Sequence, residues 1–107
     1  MSRTVAVIHP YWSFWESSVP GDFRAERQHL LDRVVAILQG EFAVVVSAVV
    51  GSPEEAARAA EQCVTADAVV MVSTMAAPPT TAMALLERLP EKPVVVWALH
   101  EERTLPA

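Results

Sequence analysis

The sequence lacks the features by which several common classes of protein are recognised. Its single cysteine, Cys63, excludes an internal disulfide framework and a metal site built from several cysteines. No apolar run approaches the roughly 20 residues of a membrane-spanning helix. The first apolar run, Val5–Ile8, is too short for the core of a signal peptide. We therefore expect a soluble, cytoplasmic domain.

Basic residues are also scarce. Seven arginines and the single Lys92 are scattered along the chain and face 13 acidic residues, so the formal net charge is −5. Proteins that bind nucleic acids or anionic membranes concentrate positive charge in a patch or stripe. The sequence has no such concentration, and we expect neither nucleic acid nor a membrane as a partner.

Apolar residues are abundant, at 52% of the 107 residues, which is enough for one packed domain spanning residues 1–107. They form short, valine-rich runs separated by segments with helical periodicity. Continuous rather than alternating apolar runs are typical of parallel strands covered on both faces. The predicted strands are β1 (Thr4–Ile8), β2 (Phe42–Val50), β3 (Ala68–Val72) and β4 (Val94–Leu99).

Capping residues predict a helix between each pair of successive strands. Helix α1 begins after the N-cap Asp22 and ends before Gly40, which occupies the C′ position. Helix α2 begins in the segment Ser52–Glu55, a capping box with proline at its first helical position. Helix α3 begins near Pro78–Thr80 and ends at Leu89. The predicted apolar stripe of α1 consists of Phe23, Leu30, Leu31, Val34, Ile37 and Leu38.

The order β1-α1-β2-α2-β3-α3-β4 predicts an α/β fold. It is an open parallel sheet with helices on both faces, flavodoxin-like, in strand order 2-1-3-4. Right-handed crossovers put α1 on one face and α2 with α3 on the other. No segment then remains to cover the α1-side face of β3 and β4, although both strands are apolar. We expect an incomplete sheet, covered there by the remaining domains of a longer protein or by a homo-oligomer.

The candidate site lies beyond the carboxyl ends of the strands, where open parallel sheets bind ligands at the reversal of strand order. That reversal falls between β1 and β3. The loops of interest are therefore 9–21 and 73–80, with the exit of β4 at 98–102 beside them. The first loop concentrates a histidine and four aromatic residues in positions 9–16: His9, Tyr11, Trp12, Phe14 and Trp15.

Two interpretations of this aromatic loop remain open. Aromatic walls with a few polar groups suit a sugar, because its C–H faces stack on the rings while its hydroxyls accept and donate hydrogen bonds. Alternatively, the aromatic side chains fold back over the end of the sheet and plug it. Large apolar side chains in a surface loop require one of these partners.

The residues that several other kinds of site require are missing from the sequence. No glycine precedes Gly21 in the first loop, which disfavours a flavin or nucleotide phosphate loop, and no Asp ends β3 as in phospho-receivers. No set of His, Asp and Glu has metal-ligand spacing, so no cofactor is expected in this chain. Cys63 is predicted to be a core residue and His29 to be solvated. His9 and His100 end β1 and β4, where each could bind a ligand or cap its strand.

Three strand exits resemble those of a known family. The segments are Val7–Glu16 (VIHPYWSFWE), Ser73–Pro79 (STMAAPP) and Pro93–Glu101 (PVVVWALHE). They are similar to the N-terminal domain, and only that domain, of the L-arabinose/L-fucose isomerase-like family. The resemblance implies an oligomeric aldose–ketose isomerase whose divalent metal, usually Mn²⁺, is held by later domains of the full-length enzyme. It also implies that this domain contacts the sugar at a neighbouring subunit, through Pro10, Tyr11, Trp12, Met75 and, as a weaker candidate, His100.

Two functions are predicted. The preferred hypothesis is a substrate-lid and oligomerisation domain of a sugar isomerase-like protein in carbohydrate metabolism. Such a domain is inactive alone because the catalytic metal ligands are absent from it, and we assign it no catalytic residue. The alternative is a stand-alone α/β module without catalytic activity, which binds a protein partner through the β3/β4 face.

Overall fold

The computed structural model describes residues 3–12, 16, 21–73 and 79–98. Its elements follow the predicted order, with boundaries that differ by at most a few residues from those expected. The strands are β1 (Thr4–Pro10), β2 (Ala43–Val50), β3 (Ala68–Ser73) and β4 (Val94–Ala98), and the helices are α1 (Phe23–Leu38), α2 (Pro53–Cys63) and α3 (Pro79–Glu87).

The strands form one parallel sheet in the order β2-β1-β3-β4, which confirms the predicted fold class and topology. β1 pairs with β2 from Thr4 opposite Ala43 to Pro10 opposite Val50. The register shifts by one residue after Val5, so that Val45 is an extra residue in β2. This bulge keeps the flanking residues of β2 on the faces that their neighbours in β1 occupy.

Alternate residues of the sheet belong to two separate cores, one under α1 and one under α2 and α3. This separation follows from the two-residue period of a strand, and it confirms the predicted placement of the helices. The α1-side core contains Val5, Val7, Tyr11, Leu31, Val34, Val49, Val70 and Val72. The core under α2 and α3 contains Ala6, Ile8, Val50, Ala56, Ala59, Ala60, Cys63, Ala66, Val69, Met71, Leu85 and Leu89.

Both predicted N-caps are present, with one difference in the second. The Asp22 carboxylate accepts a hydrogen bond from the Ala25 N–H at 3.0 Å. The Ser52 hydroxyl accepts one from the Glu55 N–H at 3.1 Å. A capping box would return the Glu55 carboxylate to the Ser52 N–H, whereas here that carboxylate accepts from the N–H of Gly51, one residue earlier.

The end of α1 differs from the prediction in conformation. Gly40 follows the C-cap residue Gln39, as expected, but of the three glycines only Gly21 has a positive φ. The helix instead closes with a tight turn, in which the Gly40 N–H donates to the Ile37 carbonyl at 3.3 Å. The Phe42 N–H donates to the Leu38 carbonyl at 2.9 Å. The last carbonyls are therefore satisfied without a left-handed residue.

The apolar stripe of α1 is narrower than predicted. Leu31 and Val34 are buried, but Ile37 is 65% exposed, so its assignment to the core is wrong. Arg27 is buried instead, with its guanidinium carbon 4.9 Å from the centroid of the Phe23 ring. Arginine reaches such a position because its aliphatic stem packs while its planar head stacks on an aromatic ring.

The α1-side face of the sheet is bare on β4 but not on β3. Val72 is fully buried and Val70 is 8% exposed, in the same core as Tyr11 and Leu31, so the prediction of a bare β3 face is wrong. Val95, the partner of Val70 in the β3–β4 register, is 57% exposed, as expected of a β4 without a covering helix.

In the part of the chain that is described, no helix is long and apolar enough to cross a membrane.

Candidate functional site

The carboxyl end of β1 extends further than predicted. His9 and Pro10 belong to the strand rather than to the loop, and Pro10 pairs with Val50. The ladder continues one step beyond, where the Tyr11 N–H donates to the Val50 carbonyl at 2.8 Å. Strand alternation then points Tyr11 to the α1 side of the sheet, the same side as His9.

Tyr11 is a core residue. Its side chain is fully buried, and its ring lies 5.9 Å from that of Phe23 in a tilted arrangement. The hydroxyl has no acceptor at good hydrogen-bond geometry among the described residues, but the Glu16 carboxylate is close enough to perturb it. Burial, with the Glu16 carboxylate second, raises the pKa of Tyr11 to about 12. This placement favours the plug interpretation for Tyr11 over contact with a sugar.

Arg24 organises the edge of the sheet beside Tyr11. Its Nη2 donates to the Val49 carbonyl and to Oε1 of Glu55, both at 2.9 Å. Its guanidinium carbon lies 5.5 Å from the centroid of the Tyr11 ring. The Gly51 N–H also donates to Oε1 of Glu55, and this bond, with the charge of Arg24, holds the pKa of the Glu55 carboxyl below its usual value. We call Tyr11, Arg24, Gly51 and Glu55 the Arg24 cluster.

No pattern in the sequence marks the Arg24 cluster as a unit. The capping pattern at Ser52–Glu55 indicated that Glu55 faces the start of α2. No spacing rule relates Arg24 to Glu55, because they lie 31 positions apart and meet only through the parallel pairing of β1 with β2. The cluster joins α1 and α2 to the carboxyl ends of β1 and β2, and its partly exposed charges are paired with each other.

His9 is fully buried on the α1 side of the sheet. Burial lowers the pKa of His9 below its usual value of 6.5, and the positive charge of Arg27 lowers it further, against backbone hydrogen bonds that act in the opposite direction. A buried neutral imidazole next to a permanent cation costs free energy when it gains a proton. His9 therefore lies in the packed interior of the domain as part of β1.

The other predicted residues fall into four groups. Pro10 and Trp12, which flank Tyr11 in the sequence, are partly buried at the carboxyl edge of the sheet. Met75 and His100 lie outside the described residues. Cys63 is buried, which raises the pKa of its thiol, and this confirms the core prediction. His29 is exposed, as predicted.

A resident metal ion would need several ligands at one place. Among residues 3–12, 16, 21–73 and 79–98, no three His, Cys, Asp or Glu side chains are placed to hold one. The described residues therefore do not fit the Mn²⁺ of the isomerase-like family, and we derive no chemistry through a metal.

A concave surface lies at the opposite end of the sheet from the predicted site. It measures about 820 Å³ and is bounded by the amino ends of β1, β3 and β4. The Asp67 carboxylate at its wall accepts from the Thr4 N–H at 2.9 Å, which lowers the pKa of Asp67. This bond, together with the Asp67 N–H to Thr4 carbonyl bond at 2.9 Å, ties the β3 entrance to β1. Thr4 and Asp67 are therefore hydrogen-bonded to each other and hold the two strands together.

The exposed side of β4 carries a second concavity, an apolar groove of about 360 Å³. We call this the β4 groove. Val95 is 57% exposed within it and Val96 is 64% exposed, whereas Trp97 is partly buried against the α1-side core. No residue that lines the groove is charged. The lining residues are Leu38, Phe42, Val70, Val95, Val96 and Trp97.

β4 is an edge strand of the sheet that the described residues form, since it pairs with β3 alone. An edge strand presents unpaired backbone N–H and C=O groups, and natural proteins protect such edges with charges, prolines or bulges. β2, the other edge, carries the bulge at Val45. The segment Val94–Ala98 has no charge, proline or bulge, and three of its residues line the β4 groove.

Comparisons of this chain with models of protein families, with curated proteins and with solved structures found no match.

Proposed function

We propose that this domain is an assembly module, which binds an extended protein strand along the free edge of β4. The observation that carries the proposal is that β4, from Val94 to Ala98, is apolar and contains no charge, proline or bulge, and that Val95 and Val96 are exposed on its two sides. A paired strand would satisfy the edge backbone groups and cover the β4 groove. Such a role is shared by an oligomerisation domain of a larger enzyme and by a stand-alone interaction module.

The proposal is tested in the cell by measuring whether an introduced cysteine on β4 is protected from labelling. In a Cys63→Ala background, Val96→Cys and Ile37→Cys place one thiol each at positions that are 64% and 65% exposed. We expect a maleimide to label Ile37→Cys readily in cells that contain the protein at its native level, while Val96→Cys is protected until the extract is strongly diluted. Equal labelling of both thiols in the cell would refute an occupied β4 edge.

We propose carbohydrate binding at the carboxyl edge as a second candidate, in which the domain acts as a sugar lid in an isomerase-like assembly. It is favoured by the partly buried Trp12, which follows Pro10 at the point where the strand order reverses. In this hypothesis the isomerase chemistry, with its Mn²⁺, belongs to other domains, and a neighbouring subunit provides the remainder of the sugar site.

Substitution of Trp12 separates the sugar lid from a structural plug. As a lid, Trp12→Ala weakens binding of L-arabinose or L-fucose in the full assembly and leaves the free energy of unfolding nearly unchanged, while Trp12→Phe retains part of the affinity by stacking. As a plug, Trp12→Ala lowers the free energy of unfolding by about 3–5 kcal/mol. The latter result, with sugar affinity unchanged, would eliminate this second candidate.

A further inference from the structure

The backbone geometry of β4 determines which of its groups are free. The Val69 N–H of β3 donates to the Pro93 carbonyl at 3.0 Å, so the backbone of residue 93 points toward β3. Successive residues of a strand point their backbone groups to opposite sides. Val95 and Trp97 therefore also direct their N–H and C=O groups toward β3. Val94, Val96 and Ala98 direct theirs away from the sheet.

The side chains of β4 are apolar on both sides of its middle residue, Val96. In the β3–β4 register, Val95 lies beside Val70 and Trp97 beside Val72, which places both side chains on the α1 side of the sheet. Val96 lies beside Met71 and faces the opposite side. The five residues from Val94 to Ala98 include no charge, so two antiparallel copies of β4 can pair without placing a charge against an apolar side chain.

We propose that the strand bound at this edge is β4 of a second copy of the chain, in an antiparallel pair centred on Val96. This inference rests on the proposed assembly role and names its partner. The two Val96 residues would exchange both backbone hydrogen bonds, because their N–H and C=O groups point outward. Val95 of each copy would lie against Trp97 of its partner as a non-hydrogen-bonded pair, in which side chains approach most closely.

Self-pairing satisfies the symmetry that closed dimers require. A two-fold axis perpendicular to the sheet keeps the α1 sides of both copies on one face, so the two β4 grooves meet along the shared edge. Each Trp97 then adds apolar surface to the groove of the other copy. The result is one eight-stranded sheet, parallel within each protomer and antiparallel at its centre, a mixed arrangement that large sheets tolerate.

The oligomeric state of the purified full chain tests this inference. We expect sedimentation to show a monomer–dimer equilibrium at micromolar to sub-millimolar concentrations. Val96→Pro removes an N–H that points away from β3, so it should leave the β3–β4 ladder intact and abolish the dimer. Val96→Lys brings two cations together on one face, and should weaken dimerisation by about tenfold or more. Ile37→Lys, at an equally exposed apolar position on α1, is the matched control and should dimerise as the unmodified chain does.

Circular dichroism must show that each variant is folded, and Val96→Lys keeps the test decisive if Val96→Pro unfolds. A chain that remains monomeric at all these concentrations would overturn self-pairing, as would a Val96→Lys variant that dimerises with unchanged affinity. If the purified chain is monomeric while Val96→Cys is protected in the cell, the partner is another protein and the assembly role stands. If Val96→Cys is labelled freely in the cell, the assembly role itself fails.

Discussion

Arg24 and Glu55 form an ion pair, with Nη2 and Oε1 2.9 Å apart, that ties the first turn of α1 to the first turn of α2. The same Nη2 donates to the Val49 carbonyl at the end of β2. The side chains of Arg24 and Glu55 are 40% and 33% exposed, so solvent screens the attraction in part. The position of Glu55 does not depend on the charge pair alone, because its carboxylate also accepts a hydrogen bond from the Gly51 N–H.

Replacing Glu55 by Gln should lower the stability of the domain at neutral pH. We expect a loss of about 1 kcal/mol in the free energy of unfolding, since the pair is partly solvated. The folded pKa of Glu55 is depressed below 4.5, so its contribution is present above that pH and is lost as the pH falls through the folded pKa. Urea unfolding should therefore show a difference from the unmodified chain at pH 7 that narrows in acid.

Glu54→Gln is the control for this measurement. Glu54 lies on the same turn of α2 and is exposed, and it therefore shares the helix dipole but not the contact with Arg24. Equal losses for the two variants would mean that the ion pair adds nothing beyond the dipole.

The tyrosine content makes a direct titration possible. Tyr11 is the sole tyrosine of the chain, so tyrosinate absorbance reports this residue alone. Its folded pKa is about 12 against an ordinary value of 10.0, because the neutral form is favoured by burial. At pH 11 we expect about a tenth of Tyr11 to be ionised in the folded protein and about nine tenths in denaturant. A native titration midpoint near 10 would contradict the buried position of Tyr11.

The same shift predicts how stability changes in alkali. A folded pKa above the unfolded one contributes stability that is present below pH 10 and is lost as the pH rises toward 12. Tyr11→Phe keeps the ring and removes the ionisable hydroxyl, so its unfolding free energy should fall less steeply over this range. Parallel alkaline profiles for the two proteins would assign the loss to other groups.

The fold could be predicted because each valine-rich run is too short for a helix and lacks an alternating polar face. Boundaries and contacts across the sheet could not be predicted so well. His9 and Pro10 belong to β1 because Pro10 pairs with Val50 and needs no N–H on that side, a fact that composition does not show. Ile37 fits the helical period of α1, yet its side chain is 65% exposed.

The candidate site was predicted less completely than the fold. A cluster of aromatic residues after β1 does not show which ring packs into the core. Tyr11 does so because β1 extends to Pro10, and the strand alternation then directs the next side chain to the α1 side of the sheet. Arg24 carries no local signal, because its partner Glu55 is distant in sequence. The exposed edge at β4 was predictable, since it follows from the strand order and from the absence of a covering helix on one face.

His9 predicts a loss of stability as the pH falls below 6.5. Its folded pKa lies below 6.5, so the stability that depends on the neutral imidazole is present above that pH and is lost as the pH falls through the folded pKa. His9→Gln should remove this loss, even if the substitution itself destabilises the core. His29→Gln, at an exposed position, should retain it. The free energy of unfolding of each protein is measured from pH 8 to about pH 5, and its slope against pH is compared between the variants and the unmodified chain. A slope that His9→Gln leaves unchanged would exclude His9 as its source.

Gly51 is expected to respond to alanine in the opposite direction from Gly40. A Cβ at Gly51 would lie 3.3 Å from Nη1 of Arg24 and 3.4 Å from Cδ2 of Tyr11, so the Arg24 cluster must shift to accept it. We expect Gly51→Ala to lower the free energy of unfolding by about 1 kcal/mol or more. At Gly40 the nearest atom is 3.5 Å away and φ is not positive, so alanine there should stabilise by about 0.4–1 kcal/mol through the unfolded state.

A double-mutant cycle connects the Gly51 prediction to the Arg24 cluster. If the cost of Gly51→Ala comes from displacing Arg24 against Glu55, it should be smaller in the Glu55→Gln background, where the ion pair is already lost. Urea unfolding of the four proteins measures this coupling. Strict additivity would show instead that the added methyl group is opposed by the ring of Tyr11, whose buried position allows little movement.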